Sequence, residues 1–191
     1  MKTKLLFNPF EKFSELTFLM LGTVSLLIAS WIAAAFHIIY DGVINIHLTT
    51  EQSFVNAVLQ NVIAVLILFI FLYGIGIAVN RRTRIVDALN ISLTFRLPLY
   101  LMSLTIPIQK PILDKLPDVK EWEHFKPSGI DMALLTAMGF ISIAALIYAV
   151  VLLVNGFKTA TNSKKWYHIV YVLLGLLLAD FIAKQIILNA F

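Results

Sequence analysis

Four long apolar runs separated by short polar segments dominate the chain, at residues 17–39, 55–79, 132–154 and 167–188. Each reaches the roughly 20 residues that a helix needs to cross a hydrocarbon core. A fifth stretch, residues 88–108, is less apolar and contains Arg96, Pro98 and Pro107. The charges between the runs decide whether it counts. Lys2, Lys4 and Lys12 precede the first run, whereas the segment after it carries Asp41, His47 and Glu51 but no Lys or Arg. Arg81, Arg82 and Arg84 follow the second run, and Lys158, Lys164 and Lys165 follow the fourth. Five spans put all three basic clusters on one side, while four spans would divide them. The positive-inside rule therefore predicts five spans, with the N-terminus cytoplasmic and the C-terminus outside. The first run is too long for the core of an ordinary signal peptide and is expected to be a retained helix.

Composition sharpens this picture. Of the 191 residues, 60% are hydrophobic and 14% charged, and the mean hydropathy is +0.88. Soluble domains are about 45–50% apolar and about 25% charged. Such a chain cannot bury its apolar surface in one small globule, which excludes a soluble enzyme, a disordered tail and a nucleic-acid module. The expectation is an all-α membrane protein, a bundle of five transmembrane helices forming a single domain over residues 1–191. The net charge of +4 fits basic cytoplasmic loops. With no cysteine, disulfides, thiolate metal sites and thiol catalysis are excluded.

Two segments outside the runs have patterns of their own. In residues 1–16, Asn8 suits a cap, Pro9 suits the first helical position, and Glu11 stands three after the cap. Phe10, Phe13 and Leu16 would then share one face, predicting a short amphipathic helix in the cytoplasmic interface. The alternative is that this segment simply begins the first span. Between spans three and four, Leu113, Leu116, Val119, Trp122 and Phe125 recur every third residue among charges and prolines. That pattern predicts short helices on the outer surface, with Trp122 at the headgroups.

Several polar groups within the spans need an account. An Arg at a helix centre costs roughly 2.5–3.5 kcal/mol on insertion scales. Arg96 either sits beside carbonyls freed by Pro98 as a candidate site, or extends towards the cytoplasmic face. Asp180 and Lys184 are four apart and share a helix face. They form an intrahelical pair, or Asp180 pairs with Arg96 across the bundle, or Asp180 is a proton or cation site. Asn56, Gln60 and Asn61 are expected to hydrogen-bond between helices. Gly74 and Gly76 lie in an apolar helix, so they read as close packing, as do the pairs Ala29/Ala33, Ala133/Ala137 and Ala145/Ala149. No two histidines have metal-site spacing, and neither an H-E-x-x-H nor a G-x-S-x-G motif occurs. No enzyme activity, metal or cofactor is expected.

Three local segments carry a likeness. Asn8-Pro9-Phe10-Glu11-Lys12-Phe13 stands just before span one. Asn80-Arg81-Arg82-Thr83-Arg84-Ile85-Val86-Asp87-Ala88-Leu89-Asn90 leads into the proline-bearing span. Asn155-Gly156-Phe157-Lys158-Thr159-Ala160-Thr161 follows span four. With the five-span layout, the chain resembles the bacterial branch of the Yip (Ypt-interacting protein) domain family over nearly its whole length. The resemblance implies a five-span membrane protein with a cytoplasmic N-terminus. Eukaryotic members are linked to Rab-type GTPases and vesicle traffic and carry an Asp-Leu-Tyr-Gly-Pro-like motif that is not found in this chain.

The functional expectation is a non-enzymatic scaffold or adaptor in a bacterial cytoplasmic membrane. Arg81, Arg82, Arg84, Lys158, Lys164 and Lys165 would contact anionic lipid headgroups and a partner protein. Self-association through the small-residue faces is a further expectation. The competing expectation is a small transporter or channel using Arg96, Asp180 and Lys184.

Overall fold

The computed structural model describes residues 7–113 and 128–191. The pattern expected between Asp114 and Phe125 falls outside these residues. Five helical spans are long and apolar enough to cross a membrane, which makes this a multi-pass membrane protein. Helix α1 is Glu15–Phe36 and α2 is Phe54–Val79. The third span, Ile85–Ile112, is built from α3 (Ile85–Phe95), α4 (Leu97–Ser103) and α5 (Ile106–Leu113). Helix α6 is Gly129–Thr161 and α7 is Tyr167–Ala190.

Local chemistry sets the boundaries. Ser14, Ser53 and Ser128 cap α1, α2 and α6 by accepting the backbone N–H of Thr17, Asn56 and Asp131. Helices α1 and α6 end where His37 and Asn162 adopt left-handed conformations, at φ 54° and 51°. The third span breaks at Arg96 because Pro98 has no N–H to continue the helical ladder and constrains Leu97 before it. Helix α6 outruns the expected 132–154. Its 33 residues make about 50 Å of helix, against a hydrocarbon core of about 30 Å.

The broken third span is the most buried of the five. Helix α3 packs against α1, α2 and α6, and α7 lies along α2. Leu68, Leu72, Phe95, Leu99, Leu153 and Val172 are buried together in the principal core. Trp31, Ile70, Phe140, Leu177 and Phe181 point outward and are largely exposed, as lipid-facing side chains are.

Two regions depart from expectation. Among the described residues before α1, Pro9–Glu11 forms a 3₁₀ turn where the pattern predicts a short amphipathic helix. Asn8 makes no cap there; its amide donates to Glu11 Oε1 at 2.9 Å and Thr159 Oγ1 at 3.2 Å. The turn docks on the bundle, with Phe10 stacked on Phe18 at 4.8 Å between ring centroids. The second region is the link between α1 and α2. Strands β1 (Ile38–Ile39) and β2 (His47–Leu48) pair antiparallel, with Ile38 opposite Leu48. The tip between them turns inward, and Tyr40, Asp41, Gly42 and Val43 are all buried.

Candidate functional site

The inward tip brings the intramembrane ionisable residues into one network. Arg96, at the break of the third span, is 1% exposed. Its Nη1 donates to the carbonyls of Gly42 at 3.0 Å and Val43 at 3.2 Å. Nη2 donates to Asn61 Oδ1 at 2.8 Å, and Nε donates to the Tyr100 hydroxyl at 3.1 Å. Its guanidinium carbon also lies 5.5 Å from the Tyr40 ring centroid and 5.3 Å from that of Tyr100. Four of the five N–H donors an arginine carries are thus engaged. Among the described residues no carboxylate forms an ion pair with Arg96, so dipoles and aromatic faces meet its charge. Arg96 does not extend to the surface, and its carbonyl partners come from the α1–α2 link rather than from its own span.

Asn61, on α2, holds this arginine in place. Its Nδ2 donates to Ser30 Oγ on α1 at 3.1 Å and to Ala57 O at 3.0 Å. The expected interhelical role of the α2 amides is realised in that bond. Gln60 accepts instead from Gln52 Nε2 at 2.7 Å, and the same amide donates to Ile38 O at 3.0 Å. On the other side, Tyr40 donates to Ser103 Oγ at 3.1 Å, and Ser103 donates to Tyr100 O at 2.7 Å. Burial pushes the Tyr40 hydroxyl up to about 12, opposed in part by the Ser103 hydrogen bond and the Arg96 charge.

Asp180, on α7, takes the other side of the Val43–Ile44 peptide. Its Oδ1 accepts the backbone N–H of Ile44 at 2.9 Å, and Oδ2 accepts Asn45 Nδ2 at 2.8 Å. Neither expected partnership forms: Asp180 pairs with neither Lys184 nor Arg96. Lys184 reaches Asp41 Oδ2 at 3.7 Å, and the other Asp41 oxygen meets His47 Nδ1 at 2.8 Å. A backbone amide beside Asp180 satisfies its carboxylate at shorter range, so the Lys184 side chain turns to the buried Asp41 instead.

The opposite end carries the basic loops. Asn80 ties the two of them together, with Nδ2 donating to Thr161 O at 3.0 Å and Oδ1 accepting the Arg82 backbone N–H at 3.0 Å. Arg84 bonds Glu15 closely and reaches Asp87 at 3.3 Å. Lys165 lies over the Tyr167 ring at 5.5 Å, while Arg81, Arg82, Lys158 and Lys164 are exposed. The close approach expected of Gly76 is to Thr83 of this loop, whose Cγ2 would stand 2.8 Å from an added Cβ; Gly74 faces open space.

The three segments that carry the family resemblance meet at this end. Asn155 Nδ2 donates to Phe7 O at 2.7 Å, and Asn8 bonds Thr159. A Cβ on Gly156 would lie 2.8 Å from Phe10 and 2.9 Å from Ile91. Comparison with family models, curated proteins and solved structures finds no match for the chain.

Sequence reasoning located Arg96, Asp180, Lys184 and the basic residues but missed Tyr40, Asp41 and Gly42. The one available signal was the Asp-Gly pair, which marks a turn but not its direction.

Proposed function

We propose that this chain is a non-enzymatic scaffold or adaptor of a bacterial cytoplasmic membrane and a five-span member of the Yip family, with its basic loops in the cytoplasm. The observation that carries this reading is the division of polar groups between the two ends. Arg96 and Asp180 are engaged in holding the chain's own α1–α2 link. At the other end, Arg81, Arg82, Lys158 and Lys164 stand exposed on loops tied together through Asn80. That end is a preformed cationic surface suited to anionic headgroups and to an acidic face of a protein partner.

The test is in-cell cross-linking of the full chain, followed by identification of attached proteins. Neutralising Arg81, Arg82 and Arg84 together should sharply reduce recovery of a reproducible partner, and raising the salt should do the same to the wild type. Equal recovery from the triple variant at low salt would overturn the reading.

The alternative reading, a small transporter or channel, draws on the chain of ionisable groups from exposed His47 through Asp41 to Lys184. It requires Asp180→Asn to abolish flux in reconstituted vesicles while the helices persist. The full use of Asp180 by the buried link weighs against it.

A further inference from the structure

The basic end also holds a cleft of about 290 Å³. Its polar lining includes Arg82 and Arg84 together with Glu15, Asp87 and Asn90. Both signs of charge are present, and Arg84 is already shared between the two carboxylates. Asn90 is 3% exposed, and its Nδ2 donates to Glu15 O at 3.1 Å.

Apolar ground adjoins the cleft. Phe13 and Phe18 line it and also line a neighbouring groove of about 270 Å³. Leu21, Leu97 and Leu101 belong to that groove and to a third of about 330 Å³, which extends to Ile32 and Leu104. From Thr17 to Ile32 this trough follows α1 for about 22 Å at 1.5 Å per residue, more than half a hydrocarbon core of about 30 Å. A polar cleft of mixed charge adjoining a long run of apolar grooves matches the shape and chemistry of a phospholipid.

We propose that the cleft and trough bind a single phospholipid with a primary-amine headgroup. Its phosphate lies at Arg82 and Arg84, its ammonium at the Glu15 and Asp87 carboxylates, and an acyl chain in the trough. The headgroup choice follows from the lining. A purely anionic headgroup would meet two carboxylates, and a choline headgroup has no N–H to give them. An ethanolamine headgroup supplies both a phosphate for the arginines and donors for the acceptors. The proposal does not depend on the adaptor reading. Arg81 does not line the cleft, so Arg81→Ala should leave the lipid in place even where it weakens a protein partner.

The experiment is native mass spectrometry of the full chain in detergent, stripped of lipid and offered phosphatidylethanolamine, phosphatidylglycerol and phosphatidylcholine with matched acyl chains. Retention of one phosphatidylethanolamine, preferred about tenfold over phosphatidylcholine, is expected. Arg82→Ala should weaken retention several-fold, because among the described residues this exposed side chain makes no hydrogen bond or ion pair. Leu101→Trp, at a position 67% exposed in the trough, should do the same while the helices remain. Glu15→Gln together with Asp87→Asn should erase the preference for ethanolamine over choline. Free phosphoethanolamine, which lacks the chains, should not compete. Equal retention of ethanolamine and choline lipids, a preference for phosphatidylglycerol, or indifference to both surface substitutions would overturn the proposal. Displacement by free phosphoethanolamine would instead identify a soluble phosphorylated amine as the ligand.

Discussion

Arg96 and Asp180 never touch, yet they hold the two sides of one peptide: the guanidinium takes the carbonyls of Gly42 and Val43, and the carboxylate takes the Ile44 N–H of the Val43–Ile44 peptide. Each residue sits on a different span, so the α1–α2 tip is clamped between the third and fifth spans. Replacing Arg96 with Met would leave those two carbonyls and Asn61 Oδ1 without donors. At about 1–3 kcal/mol for each buried unsatisfied group, a loss of about 4 kcal/mol is expected. Asp180→Ala should cost about 2 kcal/mol by the same reasoning. The double variant should lose less than the sum, because once the tip is released the second anchor has nothing to hold. Strict additivity in a denaturation cycle in detergent would show that the two anchors act separately.

Gly42 tests the clamp from the other side. A Cβ there would stand 2.5 Å from Asp180 Oδ1 and 3.2 Å from Asn45 Nδ2. Gly42→Ala must therefore push the carboxylate off the Ile44 amide, and a loss of about 2 kcal/mol is expected. In an Asp180→Ala background the same substitution should cost much less. An equal cost in both backgrounds would mean that the strain lies in the backbone rather than against the carboxylate.

The five spans were legible because an apolar run of membrane length leaves the backbone little choice but helix, and because basic clusters expose the parity of the count. The break at Arg96 was legible from Pro98. What could not be read was the direction of the α1–α2 link. Residues 38–45 contain Ile38, Ile39, Tyr40, Val43 and Ile44 beside Asp41, Gly42 and Asn45, a mixture that a surface loop also carries. Only the donors of Arg96 and the acceptors of Asp180, supplied from far along the chain, make it worth burying. For the same reason Asp180 looked like a partner for Lys184. Helical spacing showed which side chains share a face, but not that a backbone amide stood closer. Asn8 misled in another way: its cap pattern was local, while its amide found Thr159 on α6.

Tyr40 makes the buried tip sensitive to alkali. Its hydroxyl is raised to about 12 by burial, against an ordinary value of 10.0. A folded-state value above the unfolded one means that the stabilisation is fully present below about pH 10 and is lost as the pH rises towards 12. Tyr40→Phe forgoes the bond to Ser103, worth about 1 kcal/mol at neutral pH, but has no such alkaline loss. The stabilities of the two proteins should therefore converge above about pH 10. Tyrosinate absorbance attributable to Tyr40 should be missing from the wild type near pH 11. A constant gap between the two proteins up to pH 12 would show that Tyr40 ionises as freely in the fold as outside it.

Gly156 decides whether the segment before α1 stays on the bundle. An added Cβ would meet the Phe10 ring at 2.8 Å and Ile91 Cγ1 at 2.9 Å, and Ile91 is fixed in the core. The Phe10 ring is the more movable of the two, so Gly156→Ala should lift the 3₁₀ turn while leaving the five spans in place. Loss of the turn would also expose Phe18 and weaken the Asn155 and Asn8 hydrogen bonds that pin residues 7 and 8 to α6. Amide exchange over residues 7–13 should rise by an order of magnitude or more in Gly156→Ala, with little change in α2 or α7. Phe10→Ala in the same background should add nothing further, since the ring has already left. If exchange in that segment is unchanged, the notch at Gly156 is not what seats it, and the asparagine bonds alone hold the turn.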